Sequence, residues 1–383
     1  MNDRALKVLE QYELDIISTR RGRGSYILET PQGLRILCDY TGSENKALFQ
    51  NCVMNQIRAG GYEKVDVILP NREGSLISRD WEENKYVVKE WYTGRECDTA
   101  SESEIMAAVG NLARLHRLMH LKRDSLNPGI SGGIGTPNAD SNKAEKFSGK
   151  ELRKGADLKV AETAAYGEQD KSEQPLSEGQ LYDRFRQNFT AQSPRLEIRA
   201  QNAELKKIRS FIRKKNTKGD FERLFLDRFT QYFEQAQEAE EKLAPLNFTA
   251  QGQSGSSICH GDYNHHHILM SGYDMATTNF ECCRFDFQVN DLYRFMRKIL
   301  EKHDWNPRLG MRMLENYTLI RPLPQQERKL LYVRMLYPEK FRKLANYYYG
   351  SNKAWVSRRY LDKLEKLNRQ EANKNQFVRM LER

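Results

Sequence analysis

Between residues 12 and 92 apolar and polar positions alternate in short runs, the two-residue period of half-buried strands. Residues 25–30 and 34–40 flank Pro31-Gln32-Gly33 and read as a hairpin. In its second strand Leu34, Ile36, Cys38 and Tyr40 fall on one face. Residues 43–58 predict a helix, with Ser43 as N-cap, Leu48, Phe49, Cys52 and Val53 among its apolar positions, and Gly60-Gly61 as its stop. Residues 65–69, 75–79 and 86–92 predict three further strands, the first turned into the second by Asn71-Arg72-Glu73-Gly74.

After Thr93-Gly94 the period becomes helical. Ser101 caps a stretch in which Ile105, Val109, Leu112 and Met119 recur at helix spacing. Residues 123–180 are rich in Gly, Ser, Asn, Lys and Glu and poor in large apolar side chains, so they predict a disordered insert. Residues 181–246 return to long charged helices. Later helices are expected over 291–302, where Leu292, Phe295, Met296 and Ile299 share a face, over 325–349, and from 352 onward. Strands first and helices afterwards is an α+β pattern. It divides the chain into an antiparallel-sheet lobe over 1–92, a hinge over 93–98 and a helical lobe over 99–383.

Length permits two cores, since the chain has 383 residues. Its net charge of +10 comes from Lys and Arg spread along the chain, which reads as a solvated basic surface. No nucleic-acid module signature is present, so no nucleic-acid partner is expected. The first 20 residues lack a signal-peptide apolar core, and no run is long and apolar enough to span a bilayer, so no membrane association is expected. Cys38, Cys52, Cys97, Cys259, Cys282 and Cys283 follow neither a zinc nor a disulfide spacing and read as reduced thiols of a chain made in the cytosol. Cys282 and Cys283 are too close for an ordinary disulfide with each other.

Chemistry concentrates in Cys259-His260-Gly261-Asp262-Tyr263-Asn264-His265-His266-His267-Ile268. Phosphoryl transfer needs a carboxylate beside the acceptor hydroxyl and metal ligands on the same loop and a little downstream. His260-Gly261-Asp262 resembles the start of that loop in the aminoglycoside phosphotransferase and choline kinase superfamily. Asn279-Phe280-Glu281 stands where the later Asp-Phe-Gly-like triplet is expected, and Asp291-Leu292 follows, opening a helix. The resemblance implies a two-lobed protein-kinase-like fold, with Asp262 as the vestigial base, His260 positioning the loop and Asp291 anchoring it from below.

Further segments resemble the CotS-type spore coat proteins, kinase-like proteins of endospore-forming bacteria. They are Glu90-Trp91-Tyr92-Thr93-Gly94-Arg95-Glu96-Cys97 at the hinge, residues 289–298, Arg321-Pro322-Leu323, residues 337–341 and Asn352-Lys353-Ala354-Trp355. The hinge residues Glu90, Trp91 and Tyr92 would face a nucleotide base. Measured against an active kinase, the phosphate-binding lysine falls near Cys38, its helix glutamate near Asn55, the metal-binding asparagine at His267 and the metal-binding aspartate at Asn279. Only Asp262 keeps its type. Glu281, Lys89, and Arg21 with Arg23 are the residues that could substitute, although each also reads as an ordinary loop or surface residue. The His265-His266-His267 run does not predict a transition-metal site, because neighbours on an extended loop point apart.

The resemblance thus implies a catalytically degenerate kinase-fold protein acting in spore coat assembly or binding. It would be made in the mother cell and then held in the coat by other coat proteins. No cofactor is then expected. The alternative is an active phosphotransferase that uses Mg-ATP and a small hydroxylated substrate.

Overall fold

The computed structural model describes residues 3–22, 24–119, 176–189, 193–245, 256–272, 274–350 and 358–382. Most of the predicted insert, 123–175, lies outside the described residues, as does Arg23. The end of the predicted insert is corrected: residues 178–180 belong to a helix, Glu178–Phe189, whose Leu181, Tyr182 and Phe185 are buried.

The first lobe is an antiparallel sheet of β1 (Ser18–Gly22), β2 (Ser25–Thr30), β3 (Gly33–Asp39), β4 (Ile68–Leu69), β5 (Ser78–Arg79) and β6 (Lys85–Glu90). Its order is β1-β2-β3-β6-β4, with β5 also pairing β6. Helix α1 (Glu44–Ala59) covers one face, and the Ser43 side chain accepts from the Lys46 amide as its cap. A 3-10 helix, Asp3–Gln11, covers the other, packing Ala5, Val8 and Tyr12 against Leu28, Leu37 and Val88. Both faces being buried explains why Leu37, off the predicted apolar face, is as buried as Ile36 on it. The strands expected over 65–69 and 75–79 are cut to the residues that β6 faces, Val65 making an isolated bridge to Thr277, and the strand expected over 86–92 runs from Lys85 to Glu90.

The second lobe contains β7 (Arg95–Glu96), α2 (Glu102–Leu118), α3 (Glu178–Phe189), α4 (Pro194–Lys214), α5 (Asp220–Leu243), β8 (Ser256–Cys259), β9 (Ile268–Ser271), β10 (Asp274–Thr277), β11 (Arg284–Phe287), α6 (Val289–Lys302), α7 (Pro307–Ile320), α8 (Gln325–Leu336), α9 (Glu339–Gly350) and α10 (Arg358–Glu382). β7 joins β9 and β10, and β8 pairs β11. A main core runs from α1 through α2 into α6, α7 and α8. A separate aromatic core joins α4, α5, α9 and α10, where Phe341 stacks on Phe225 and Tyr232 at ring separations of 4.7 and 4.5 Å. Among the described residues no helix is long and apolar enough to cross a membrane.

Candidate functional site

The two β-pairs of the second lobe, β8 with β11 and β9 with β10, deliver two turns to one place. One is the 260–267 loop and the other is the 278–283 turn. Gly261 has φ +85°, and a Cβ there would lie 2.0 Å from the Cys282 carbonyl oxygen, so only glycine lets the turns approach.

Asp291, at the start of α6, is fully buried beneath the loop. Its carboxylate accepts from the His260 amide at 2.8 Å and the Gly261 amide at 3.1 Å. Burial alone would raise its pKa, but the bond from His116 and the charge of Arg294 hold it well below the usual carboxylate range. His116 in turn bonds the Tyr317 hydroxyl at 2.6 Å. A His116–Tyr317 brace therefore stands behind the anchor.

His260 is also buried. Its Nε2 donates to the Thr278 carbonyl at 3.0 Å and its Nδ1 accepts from the Asp262 amide at 3.3 Å. Burial pushes its pKa down to about 4, so the ring is neutral and ties the two turns together. Asp262 itself is half-exposed on the open side of the loop, with Lys298 of α6 3.4 Å from Oδ1 and His267 3.7 Å from Oδ2.

His267 and Asn279 occupy the two positions where the resemblance expects metal ligands. They bond each other: Asn279 Nδ2 donates to His267 Nε2 at 2.8 Å, while His267 Nδ1 donates to the Asp262 carbonyl at 2.9 Å. Burial lowers the His267 pKa, keeping the ring neutral. Asn279 has φ 65°, a left-handed conformation that asparagine tolerates, and its amide donates to buried Asp66 at 2.8 Å.

Glu281 and Lys89 are paired. Lys89 Nζ lies 2.9 Å from Glu281 Oε1 and 3.7 Å from Asp66 Oδ2, with the Lys89 side chain only 5% exposed. Burial alone would lower the pKa of Lys89, but Glu281 and Asp66 hold it well above the ordinary lysine value. Burial pushes Asp66 up to about 6, against the pull of Lys89. Cys38 lies close to the same charges, and burial pushes its thiol up to about 12, so it contributes no charge.

Asn55 does not join this group. It is exposed, and the α1 residues reaching the 278–283 turn are Gln50, whose Nε2 donates to the Glu281 carbonyl at 2.9 Å, and Lys46, whose ammonium donates to the Cys283 carbonyl. The expected position was displaced because helix periodicity sets a face but not its register against the second lobe. The hinge is engaged within the fold: the Glu90 and Trp91 amides donate to the Val67 and Leu34 carbonyls, both at about 3 Å. The Tyr92 hydroxyl donates to the Val65 carbonyl at 2.8 Å, and the Glu90 carboxylate pairs with Arg58. Arg21 lies near the Tyr26 hydroxyl.

The three histidines form a 3-10 turn and not the extended loop expected, so His265 and His266 do not point apart: their rings lie 3.9 Å from each other, His265 accepting from Lys302 at 3.0 Å and His266 meeting Glu96 at 2.5 Å, while His267 turns to Asn279. No group of three or more His, Cys, Asp or Glu able to hold a metal occurs among the described residues. Cys282 is exposed and Cys283 buried.

Magnesium bound to nucleotide phosphates calls for anionic oxygens. Here an amide and a neutral imidazole satisfy each other, the nearby glutamate is held by a lysine, and a neutral thiol, Cys38, stands near where the resemblance expects the strand lysine. These residues do not fit Mg-ATP. Motif reading did not select Asp66, Gln50, Lys298, His116 or Tyr317. Asp66 had one visible sign, a lone carboxylate within Val65-Asp66-Val67-Ile68-Leu69.

Residues 200–381 match the family model described as spore coat putative kinase YutH. The chain resembles the kinase-like spore coat proteins. Its fold is shared with an aminoglycoside phosphotransferase from Alicyclobacillus acidocaldarius, at TM-score 0.70 and 14% identity over 98% of this chain and 95% of that one. It is also similar to spectinomycin phosphotransferase APH(9)-Ia, solved with ADP and spectinomycin, at TM-score 0.54 and 9% identity over 97% of each chain. Amicoumacin kinase hAmiN gives TM-score 0.53 and 11% identity over 98% of this chain and 94% of that one. No curated protein matches in sequence. The two-lobed α+β architecture is that of these kinases, and the spore coat likeness lies in the second lobe.

Proposed function

We propose that this chain is a catalytically degenerate kinase-fold component of the spore coat, acting through binding or assembly and without a cofactor. The observation that carries the reading is the His267–Asn279 hydrogen bond, which leaves the two expected metal-ligand positions satisfied by each other. Bringing several phosphate charges into the cleft without a divalent ion or a free lysine is costly. Lys89 is the strongest substitute cation, and it is already neutralised by Glu281 and Asp66. The likeness of residues 200–381 to a spore coat family supports synthesis in the mother cell followed by deposition in the coat.

One observation favours the alternative, an active Mg-ATP-dependent small-molecule phosphotransferase: Asp262 is retained, half-exposed, on a loop anchored by Asp291. Thermal unfolding separates the two. A ligand present at a hundredfold excess over its Kd stabilises the folded state by about 2.7 kcal/mol. The melting temperature is expected to be unchanged by millimolar ATP with magnesium. A rise that requires magnesium would contradict the reading without a cofactor and favour the alternative.

A further inference from the structure

The 278–283 turn of the second lobe is held from the first lobe by several groups. The Gln50 amide and the Lys46 ammonium reach its carbonyls at Glu281 and Cys283. Asp66 accepts the Asn279 amide at 2.8 Å. Between them stands Lys89, on the last strand before the hinge, with carboxylates from both lobes around it. Lys89 and Asp66 are 4% and 1% exposed and the Glu281 side chain 38%, so the bridge is shielded from solvent and salt on its first-lobe side and open at Glu281. In contrast, Lys64 and Asp274 also join the lobes, at 2.7 Å, but with side chains 41% and 70% exposed.

A lone buried ammonium on β6 would be strongly unfavourable, and within the first lobe only Asp66 answers it, at 3.7 Å. The closer partner, Glu281 at 2.9 Å, comes from the second lobe. Opening the cleft would separate Lys89 from Glu281 and Asp66 from the Asn279 amide together. Closing it restores both.

We propose that Lys89, with Asp66 and Glu281, is a latch that holds the two lobes closed without any nucleotide. The ammonium supplies between the lobes the positive charge that a bound divalent ion would otherwise bring. The proposal rests on the two-lobed reading of the fold and not on loss of catalysis, so the two can fail separately.

Hydrogen–deuterium exchange on the full chain tests it, comparing the unmodified protein with Lys89→Met, Glu281→Gln and, as an exposed interlobe pair, Lys64→Ala. Lys89→Met and Glu281→Gln are expected to speed exchange at least tenfold in the hinge, residues 90–96, and in the loop, residues 260–267. In Glu281→Gln exchange in α4 and α5 should stay within twofold, and Lys64→Ala should change neither region by more than twofold. If Lys89→Met does not fold, Glu281→Gln decides, since it leaves the Lys89–Asp66 pair intact. Exchange within twofold of the unmodified protein at both regions would overturn the latch. So would equal acceleration throughout the chain, which would make Lys89 a stability residue only. Protection of the cleft on adding Mg-ATP to the unmodified protein would contradict the reading without a cofactor and leave the latch standing.

Discussion

At Gly261 the close approach of the Cys282 carbonyl and the positive φ act together. Gly261→Ala should destabilise the chain by more than ~1 kcal/mol, read as a lower denaturation midpoint in urea, because both strain and overlap oppose a Cβ. At Lys89 the deciding quantity is burial. Removing its charge leaves Asp66 unpaired inside the protein, and Lys89→Met is expected to cost about 3–5 kcal/mol in the same experiment. Lys64→Ala, in an exposed pair, should stay within ~1 kcal/mol. Motif spacing made Asp262, His260 and Asp291 legible, because a loop tied to a helix start has a fixed length. It placed His267 and Asn279 as well, but not the bond between them, since twelve residues of chain carry no information on distance. Lys89 and Asp66 were harder to read: a charge inside an apolar run signals a buried partner without saying which lobe supplies it.

At the scale of elements, the 260–267 loop is built on neutral rings. His116, His260, His265 and His267 all have pKa values lowered first by burial. An unfolded histidine titrates at 6.5 while His260 in the fold titrates at about 4, so between these values the unfolded chain binds the extra proton. Stability should therefore be full above pH 6.5 and fall as pH drops towards 4, His260 alone accounting for ~3 kcal/mol. Asp66, raised from 3.8 to about 6, runs the other way, as a carboxyl that favours the fold once protonated. Burial raises Glu44 too, but Asp291, Glu197, Glu222 and Glu339 are held low and lose stability alongside the four histidines, so a net loss remains. Melting followed from pH 8 to 4 checks it, and His267→Asn should shrink the loss while leaving the neutral-pH value nearly unchanged. The aromatic core is a second element-level test: Phe341→Ala should cost about 3–5 kcal/mol, because its ring is buried between Phe225 and Tyr232. Caps and turns of α1, α2 and the β2–β3 hairpin were readable from Ser43, Ser101 and Gly33, whose chemistry is local. Strand ends were not, because they depend on partners distant in sequence. The N-terminal 3-10 helix was missed although Ala5, Leu6, Val8 and Leu9 are apolar, because they alternate with charges over only nine residues.

For the whole molecule, the order of strands then helices gave the two-lobed class, and the structure adds how the lobes meet. Tyr62 bonds Thr277 at 2.9 Å, the Thr277 amide donates to the Lys64 carbonyl, and Asp66 and Lys89 reach the 278–283 turn. Of these, Asp66 and Lys89 close on Asn279 and Glu281, where the resemblance expects metal ligands. The central claim is that this ground has been given over to internal contacts, and calorimetric titration of the unmodified protein with ATP, with and without magnesium, tests it most directly. The account predicts no magnesium-dependent heat. It further predicts that Cys38→Lys, His267→Asn and Asn279→Asp combined regain magnesium-dependent binding before any turnover, since charge is restored more easily than alignment. Tight, magnesium-dependent binding by the unmodified protein, lost in Asp262→Ala or Glu281→Gln, would contradict it.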